Sequence, residues 1–175
     1  MRASHLNWAL SVLLNQEDIF LVRNTKGLDE DQIEYIQLLW DFLTQVDPEQ
    51  ESYFDKSKIQ DLRVRIDVSE AHLDKSKTAF LQDTNTIRIG ADALPSAGQS
   101  MSANDTMSEL ACLAHEYAHA IRYHLGYRRP FKGALMHLDE AETSIHASYE
   151  TALSDADRKQ LVEDASERIA NWRVS

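Results

Sequence analysis

Apolar residues recur every three or four positions in several parts of this chain, a spacing that places them on one face of an α-helix. The helices predicted in this way cover residues 6–14, 19–22, 29–46, 138–153 and 155–172. Residues 62–68 instead alternate between apolar and polar, which is typical of a half-buried strand. Two short apolar runs at 78–81 and 87–89 flank a polar turn, which predicts a hairpin.

Helices, a small sheet and further helices in this order predict an α+β fold. A length of 175 residues suits one domain with its own core. We therefore expect a single domain over residues 1–175, with a helical part at 1–60 and a small sheet at 61–90. A loop of small polar residues at 95–104 would lead into a second helical part at 105–173.

Composition narrows the possible functions. Eighteen basic and twenty-nine acidic residues give a formal charge of −11, which argues against nucleic acid as a partner and against a cationic membrane-binding surface. The start of the chain lacks a signal-peptide pattern and no long apolar run is present, so we expect a cytoplasmic protein. The single cysteine, Cys112, excludes an intramolecular disulfide and is predicted to be a buried structural thiol.

One pattern carries specific chemistry, the sequence His115-Glu116-Tyr117-Ala118-His119. Residues four apart share one face of a helix, so both imidazoles could bind the same Zn²⁺. Glu116 lies about 100° round the helix from His115 and is suited to act as a general base rather than as a ligand. The pattern therefore predicts a zinc hydrolase.

The residues around this motif predict a helix with one buried face. Thr106 and Glu109 have the spacing of a capping box, and Gly126 suits the end of a helix. The predicted apolar face consists of Leu110, Ala114, Tyr117, Ala118, Ile121 and Leu125.

A catalytic zinc site needs a third protein ligand. The extended pattern that adds a glycine and a third histidine after the motif is excluded, because Arg122 and Leu125 stand at those two positions. A carboxylate from the following helix is the expected ligand. The candidates there are Asp139, Glu140 and Glu142, with His137 and His146 as less suitable alternatives.

Two arguments about this third ligand disagree. Glu142 flanks the bulky apolar stripe of its helix, which favours Glu142 as the inward-facing residue. Glu140 shares its face with the small residues Thr143, Ser144 and Ala147, which would allow two helix backbones to approach closely. The residues alone leave both open.

Residues 105–150 resemble the gluzincin metallopeptidases, especially the ImmA/IrrE-type and HtpX-type branches, in which H-E-x-x-H is followed by a helix with E-x-E-A-D-x-F-A. Residues 140–147 match that string at both glutamates and at the last alanine. The resemblance implies a zincin-like fold and Glu140 as the third ligand, with Glu142 as the alternative. In the family an aspartate four residues after the ligand orients a zinc-binding histidine, and this chain has Ser144 there; His146 replaces the aromatic residue.

A basic strip follows the motif helix. Residues 117–138 contain no acidic side chain but include Arg122, Arg128, Arg129 and Lys132. Arg128 and Arg129 are candidates for binding an acidic group of the substrate. The alternative is that these arginines pair with the protein's own carboxylates.

These observations predict a zinc endopeptidase acting on a specific protein or peptide substrate, and the resemblance implies a bacterial regulatory, defence or toxin system. Residues 87–89 are the candidate for the strand edge that binds the substrate, and an ordinary sheet strand is the alternative. The group that stabilises the oxyanion is open among Tyr123, His124, Tyr127, His146 and Tyr149. A binding or regulatory module without turnover, which Ser144 favours, and a zinc-dependent deamidase are the alternatives.

Overall fold

The computed structural model describes residues 21–45, 63–130 and 132–175. Within them the strands are β1 (Leu21–Arg23), β2 (Arg65–Asp67), β3 (Ala79–Leu81), β4 (Thr86–Arg88) and β5 (Pro95–Ala97). The helices are α1 (Glu30–Thr44), α2 (Glu109–His124), α3 (Leu135–Ala147) and α4 (Asp155–Val174). This arrangement confirms the predicted α+β class. The predicted helix at 6–14 lies outside the described residues.

The central sheet has the strand order β2-β4-β3, with β4 parallel to β2 and antiparallel to β3. The predicted hairpin is confirmed, with Phe80 opposite Ile87. The prediction that residues 87–89 form an edge is wrong, because β4 is paired on both sides. Ile87 and Ile89 are fully buried, and the apolar pattern that suggested a strand there is the pattern of a central strand. Among the described strands, β2 and β3 are the outer ones of this sheet.

A second sheet pairs β1 with β5 in antiparallel register, with Val22 opposite Ser96. The predicted helix at 19–22 is therefore wrong at Leu21 and Val22, and the predicted loop at 95–104 begins with a strand. A run of only four apolar residues does not distinguish a helix from a strand by its periodicity, and here the strand partner decides.

Helix α2 lies at the centre of the molecule. Helix α1 packs on one side of it, where the Trp40 ring meets Tyr117 edge to face at 5.4 Å between centroids. Helices α3 and α4 pack against each other, and both contact α2. Because α2 contributes several buried alanines, the elements around it can approach closely.

The ends of the helices differ in part from the prediction. The N-cap of α2 is Ser108, whose hydroxyl accepts from the Ala111 amide, and the predicted cap Thr106 lies in a preceding 3₁₀ turn. Gly126, at φ +96°, follows the end of α2 as predicted, but Leu125 is exposed because the helix has already ended. Helix α3 ends at Ala147, six residues before the predicted end.

Helix α4 begins with a capping box at Ser154, one of the two predicted caps. It is the longest helix described, and none of the described helices has the length and apolar character needed to span a bilayer.

Candidate metal centre

Helices α2 and α3 bring His115, His119 and Glu140 together as a buried group whose potential ligand atoms all lie within 4.8 Å of one another. Glu140 Oε2 is 3.2 Å from His115 Nε2, and Glu140 Oε1 is 3.5 Å from His119 Nε2. Ligand atoms bound tetrahedrally at zinc-like distances are separated by about 3.3 Å. The group could therefore hold a metal ion.

The two candidate carboxylates of α3 are placed differently. Glu140 is buried in the group, on the same face as Thr143, Ser144 and Ala147, which are fully buried. The Glu142 side chain is 64% exposed and pairs with Arg122 at 2.9 Å. The small residues beside Glu140 therefore face the interior, as the argument for Glu140 requires. The bulky stripe that favoured Glu142 is partly exposed at Ile145 and Tyr149.

The remaining candidate ligands lie elsewhere. Asp139 pairs with Arg122 at 2.8 Å. His137 is partly exposed and His146 is buried, and neither belongs to the group of three.

The hydrogen bonds of both histidines identify which ring nitrogen is a donor to its neighbour. The hydroxyl of Ser144 donates to Asp164 at 2.5 Å and lies 2.9 Å from His115 Nδ1. A hydroxyl can donate only one hydrogen bond, and the Ser144 hydroxyl donates it to Asp164. Ser144 must therefore accept a hydrogen bond from the Nδ1–H of His115. His115 Nε2 is the other ring nitrogen and faces Glu140, so it is the atom available to a metal ion.

His119 is held in the same way but less tightly. Thr143 Oγ1 donates to the Asp139 carbonyl at 2.8 Å and lies 3.4 Å from His119 Nδ1. The Nδ1 atom of His119 is thus the donor, and its Nε2 is also directed at Glu140.

Glu140 lies among cationic and hydrogen-bonding groups. Burial alone would raise its pKa, but the bonds and charges of His115 and His119 outweigh burial and hold the pKa of Glu140 far below its usual range. Arg129 bonds Oε1, and Arg168 Nη1 lies 3.2 Å from Oε2. Glu140 is therefore ionised, and both of its oxygens are oriented by neighbouring side chains.

A cleft of about 250 Å³ opens on the His115 side of the group. Its lining includes His115, Glu116 and Glu140, together with Thr78 just before β3. Glu116 Oε2 accepts a hydrogen bond from the Phe80 amide at 2.8 Å, so the edge strand β3 fixes the position of this carboxylate.

A Cβ on Gly90 would lie 2.5 Å from backbone atoms of Lys77, so only glycine allows these two segments to pack this closely.

Cys112 also lines this cleft and is partly exposed, which corrects the prediction of a buried thiol. Its surroundings still raise the pKa of the thiol to about 11, chiefly by desolvation. Cys112 is therefore a poor nucleophile at neutral pH.

The His119 side has only a small recess of about 10 Å³. Tyr123 and Tyr127, two of the candidates for stabilising an oxyanion, line it with His119. His124 bonds Asn85 at 2.9 Å, in the turn of the hairpin. His146 and Tyr149 line neither of these two cavities.

Part of the basic strip is paired with the protein's own carboxylates. Arg122 is buried between Asp139 and Glu142, and Arg129 bonds Glu140. Arg128 is bonded to two backbone carbonyls and lies over the Tyr123 ring, without a carboxylate partner among the described residues. Lys132 is exposed. The two predicted substrate-binding residues thus have different surroundings.

Sequence reasoning missed the contribution of α4. Asp164 and Arg168, one turn apart on that helix, contact Ser144 and Glu140 respectively. The only sequence signal was that Asp164 and Arg168 form an acid–base pair at helical spacing beside the apolar residues Leu161 and Ala165. An ordinary pair on a helix surface has the same spacing.

No family model, curated protein or solved structure matches the chain. The resemblance to gluzincins therefore depends on the motif residues themselves.

Proposed function

We propose that this protein is a zinc-dependent endopeptidase with a zincin-like fold, in which His115, His119 and Glu140 hold the metal and Glu116 is the general base. The observation that carries the proposal is that the buried group of two histidines and a glutamate lies on the same cleft as Glu116.

The donor set fits zinc in particular. Two neutral imidazoles and one carboxylate are a common ligand set of catalytic zinc sites, which keep one position for water or substrate. Both histidines use Nδ1 for a hydrogen bond to a neighbouring hydroxyl and direct Nε2 at Glu140, and the carboxylate is ionised. When bound there, Zn²⁺ would polarise a carbonyl and lower the pKa of water.

Glu116 is the residue placed to move the proton. The Phe80 amide fixes its Oε2 atom, and no described residue bonds Oε1. Glu116 would accept a proton from the attacking water and deliver it to the leaving nitrogen. Its link to β3 keeps the carboxylate in one orientation while a substrate binds.

The edge strand β3 supports a peptide as the substrate. Thr78, just before β3, lines the cleft on the His115 side, and Gln82, just after it, lines the recess on the His119 side. An extended peptide lying along this strand would pass the metal centre and continue in both directions, while the Thr78 and Phe80 amides stay bonded to Asp92 and Glu116. This arrangement favours cleavage within a chain over removal of a terminal residue.

Metal analysis and a peptide library test the proposal. Wild type should purify with about one zinc ion per chain under metal-replete conditions. Glu116→Gln should retain it. Incubation with a proteome-derived peptide library, read by mass spectrometry, should give new peptide termini with wild type and none with Glu116→Gln. Glu163→Gln, an exposed carboxylate on α4, is the matched control and should behave as wild type.

A binding module without turnover is a second candidate, favoured by one observation. Arg129 and Arg168 already pair with Glu140, so the negative charge of this carboxylate is balanced without a metal ion. Failure of wild type to bind zinc would support this candidate and overturn the peptidase. Conversion of amide side chains to acids in the library, without new termini, would instead indicate a deamidase.

A further inference from the structure

Asp164 is a carboxylate that the proposed reaction does not use, yet its side chain is almost fully buried beside the metal centre. Its Oδ2 atom accepts from the Ser144 hydroxyl at 2.5 Å and from Arg168 Nε at 2.7 Å. Ser144 in turn lies 2.9 Å from His115 Nδ1. A carboxylate, a hydroxyl and an imidazole therefore form one chain of hydrogen bonds that runs from α4 through α3 to α2.

We propose that Asp164 is a positioning residue for the metal ligand His115 and acts on it through Ser144. The inference rests on the metal site of the proposed function. The carboxylate that supports His115 would come from α4, the helix that follows the one carrying Ser144.

The order of donors and acceptors along this hydrogen-bond chain decides which nitrogen of His115 faces the metal site. Asp164 Oδ2 accepts from both the Ser144 hydroxyl and Arg168 Nε. Ser144 must then donate to Asp164 and accept from the Nδ1–H of His115. A carboxylate two bonds away thus fixes which nitrogen of His115 is free to bind the metal, and it also fixes the plane of the ring.

Arg168 extends the support to a second ligand. Its Nε atom bonds Asp164, and its Nη1 atom lies 3.2 Å from Glu140 Oε2. Because Asp164 and Arg168 are one turn apart on α4, the same helix orients both His115 and Glu140. The weaker partner of His119, a neutral threonine at 3.4 Å, has no such link.

A purely structural role is the competing explanation, since Asp164 also joins α4 to α3. The two roles differ in what they affect. Loss of a structural contact lowers the thermal stability of the metal-free protein and leaves the zinc affinity of the folded protein unchanged. Loss of a positioning contact lowers the zinc affinity of protein that is still folded.

The test compares Asp164→Asn, Ser144→Ala and their double variant with wild type and with Glu163→Gln as the matched α4 control. Zinc affinity is measured by competition with a chromophoric chelator, and folding by circular dichroism and thermal melting without metal. We expect each single variant to bind zinc about 10–100-fold more weakly, the range typical of groups that support metal ligands. The double variant should be little worse than either single one, because both changes break the same chain.

A relocation variant separates position from charge. Ser144→Asp combined with Asp164→Ser moves the carboxylate to α3 and should recover most of the lost affinity. In metal-free wild type, nitrogen NMR should show His115 protonated at Nδ1, and Asp164→Asn should shift this tautomer preference.

Three outcomes decide the inference. Unchanged zinc affinity in folded Asp164→Asn would overturn it while leaving the peptidase proposal intact. Independent, additive losses in the double variant would also overturn it. Failure of wild type to bind zinc would overturn both proposals, whereas zinc binding with the expected losses but no cleavage would overturn only the peptidase.

Discussion

The two histidines of the motif share one helix and one partner, Glu140, but their surroundings differ. On the His115 side there is an open cleft of about 250 Å³, and the imidazole is held by a short hydrogen-bond chain that ends in a carboxylate. On the His119 side there is a recess of about 10 Å³, and the imidazole has a long contact with a neutral hydroxyl. The imidazole next to the open cleft, His115, therefore has the stronger hydrogen-bond support.

This difference shows how a site can be both accessible and preorganised. Both imidazoles are almost fully buried, but the larger cleft borders His115, whose Nδ1 is held by the hydrogen-bond chain to Asp164. His119 borders only the small recess, which the ion-paired Arg122 and Arg129 also line. The two imidazoles are thus equally buried but differ in the hydrogen bonds that support them.

The largest expected effect comes from removing the ligand that both sides share. Glu140→Ala should abolish zinc binding or weaken it by more than the roughly 100-fold typical of supporting groups. Glu142→Ala should retain zinc, because its side chain lies outside the group and is 64% exposed. Zinc content after dialysis, measured by mass spectrometry on folded protein, distinguishes the two. Retention by the first variant and loss by the second would reverse the assignment of the third ligand.

The enclosed side depends on Arg122 for its stability. Arg122→Leu would leave Asp139 buried without its closest cation, and loss of one partner of a buried pair costs about 3–5 kcal/mol. The free energy of unfolding in urea should fall by that amount. Glu142→Ala, which removes the exposed partner of the same arginine, should cost about 0–1 kcal/mol. Equal losses in the two variants would mean that the recess is not held by a buried pair.

The sequence predicted the centre of this site better than its surroundings. The four-residue spacing of His115 and His119 is local, so helix geometry alone places them on one face. The residues alone left Glu140 and Glu142 open, and the gluzincin resemblance implied Glu140. The small residues Thr143 and Ser144 favoured Glu140, but their hydrogen bonds could not be predicted. Asp164 lies twenty residues beyond Ser144, and no periodicity within α4 indicates which buried partner it meets.

The same distinction applies to the sheet. The hairpin of β3 and β4 was predictable, because adjacent apolar runs joined by a short polar turn pair with each other. Which of its strands forms the edge depends on β2, a parallel partner about twenty residues earlier in the chain. β1 and β5 were missed for a related reason, since more than seventy residues separate these short strands. Pairing across such separations is set by tertiary packing rather than by local sequence.

On the open side, Cys112 provides a probe that needs no substitution. Desolvation raises the pKa of its thiol to about 11. The thiolate is the reactive form, so its fraction at pH 8 should be roughly 200-fold below that of an ordinary cysteine. The rate of alkylation by iodoacetamide should therefore be low at pH 8 and rise about tenfold per pH unit up to about pH 11. Protein unfolded in urea is the control. A rate that levels off near pH 8.5 in folded protein would contradict the raised pKa.

The smallest expected effect tests the weaker support of His119. Thr143→Val keeps the shape of the buried side chain and removes its hydroxyl, which lies 3.4 Å from His119 Nδ1. Because that contact is long and neutral and packing also holds the ring, we expect zinc affinity to fall only a few-fold, less than the roughly 10–100-fold expected for Ser144→Ala. Chelator competition on the two folded variants, measured side by side, makes the comparison directly. A larger loss in Thr143→Val than in Ser144→Ala would mean that the two histidines are supported to a similar degree and that the hydrogen-bond chain to α4 gives His115 no special advantage.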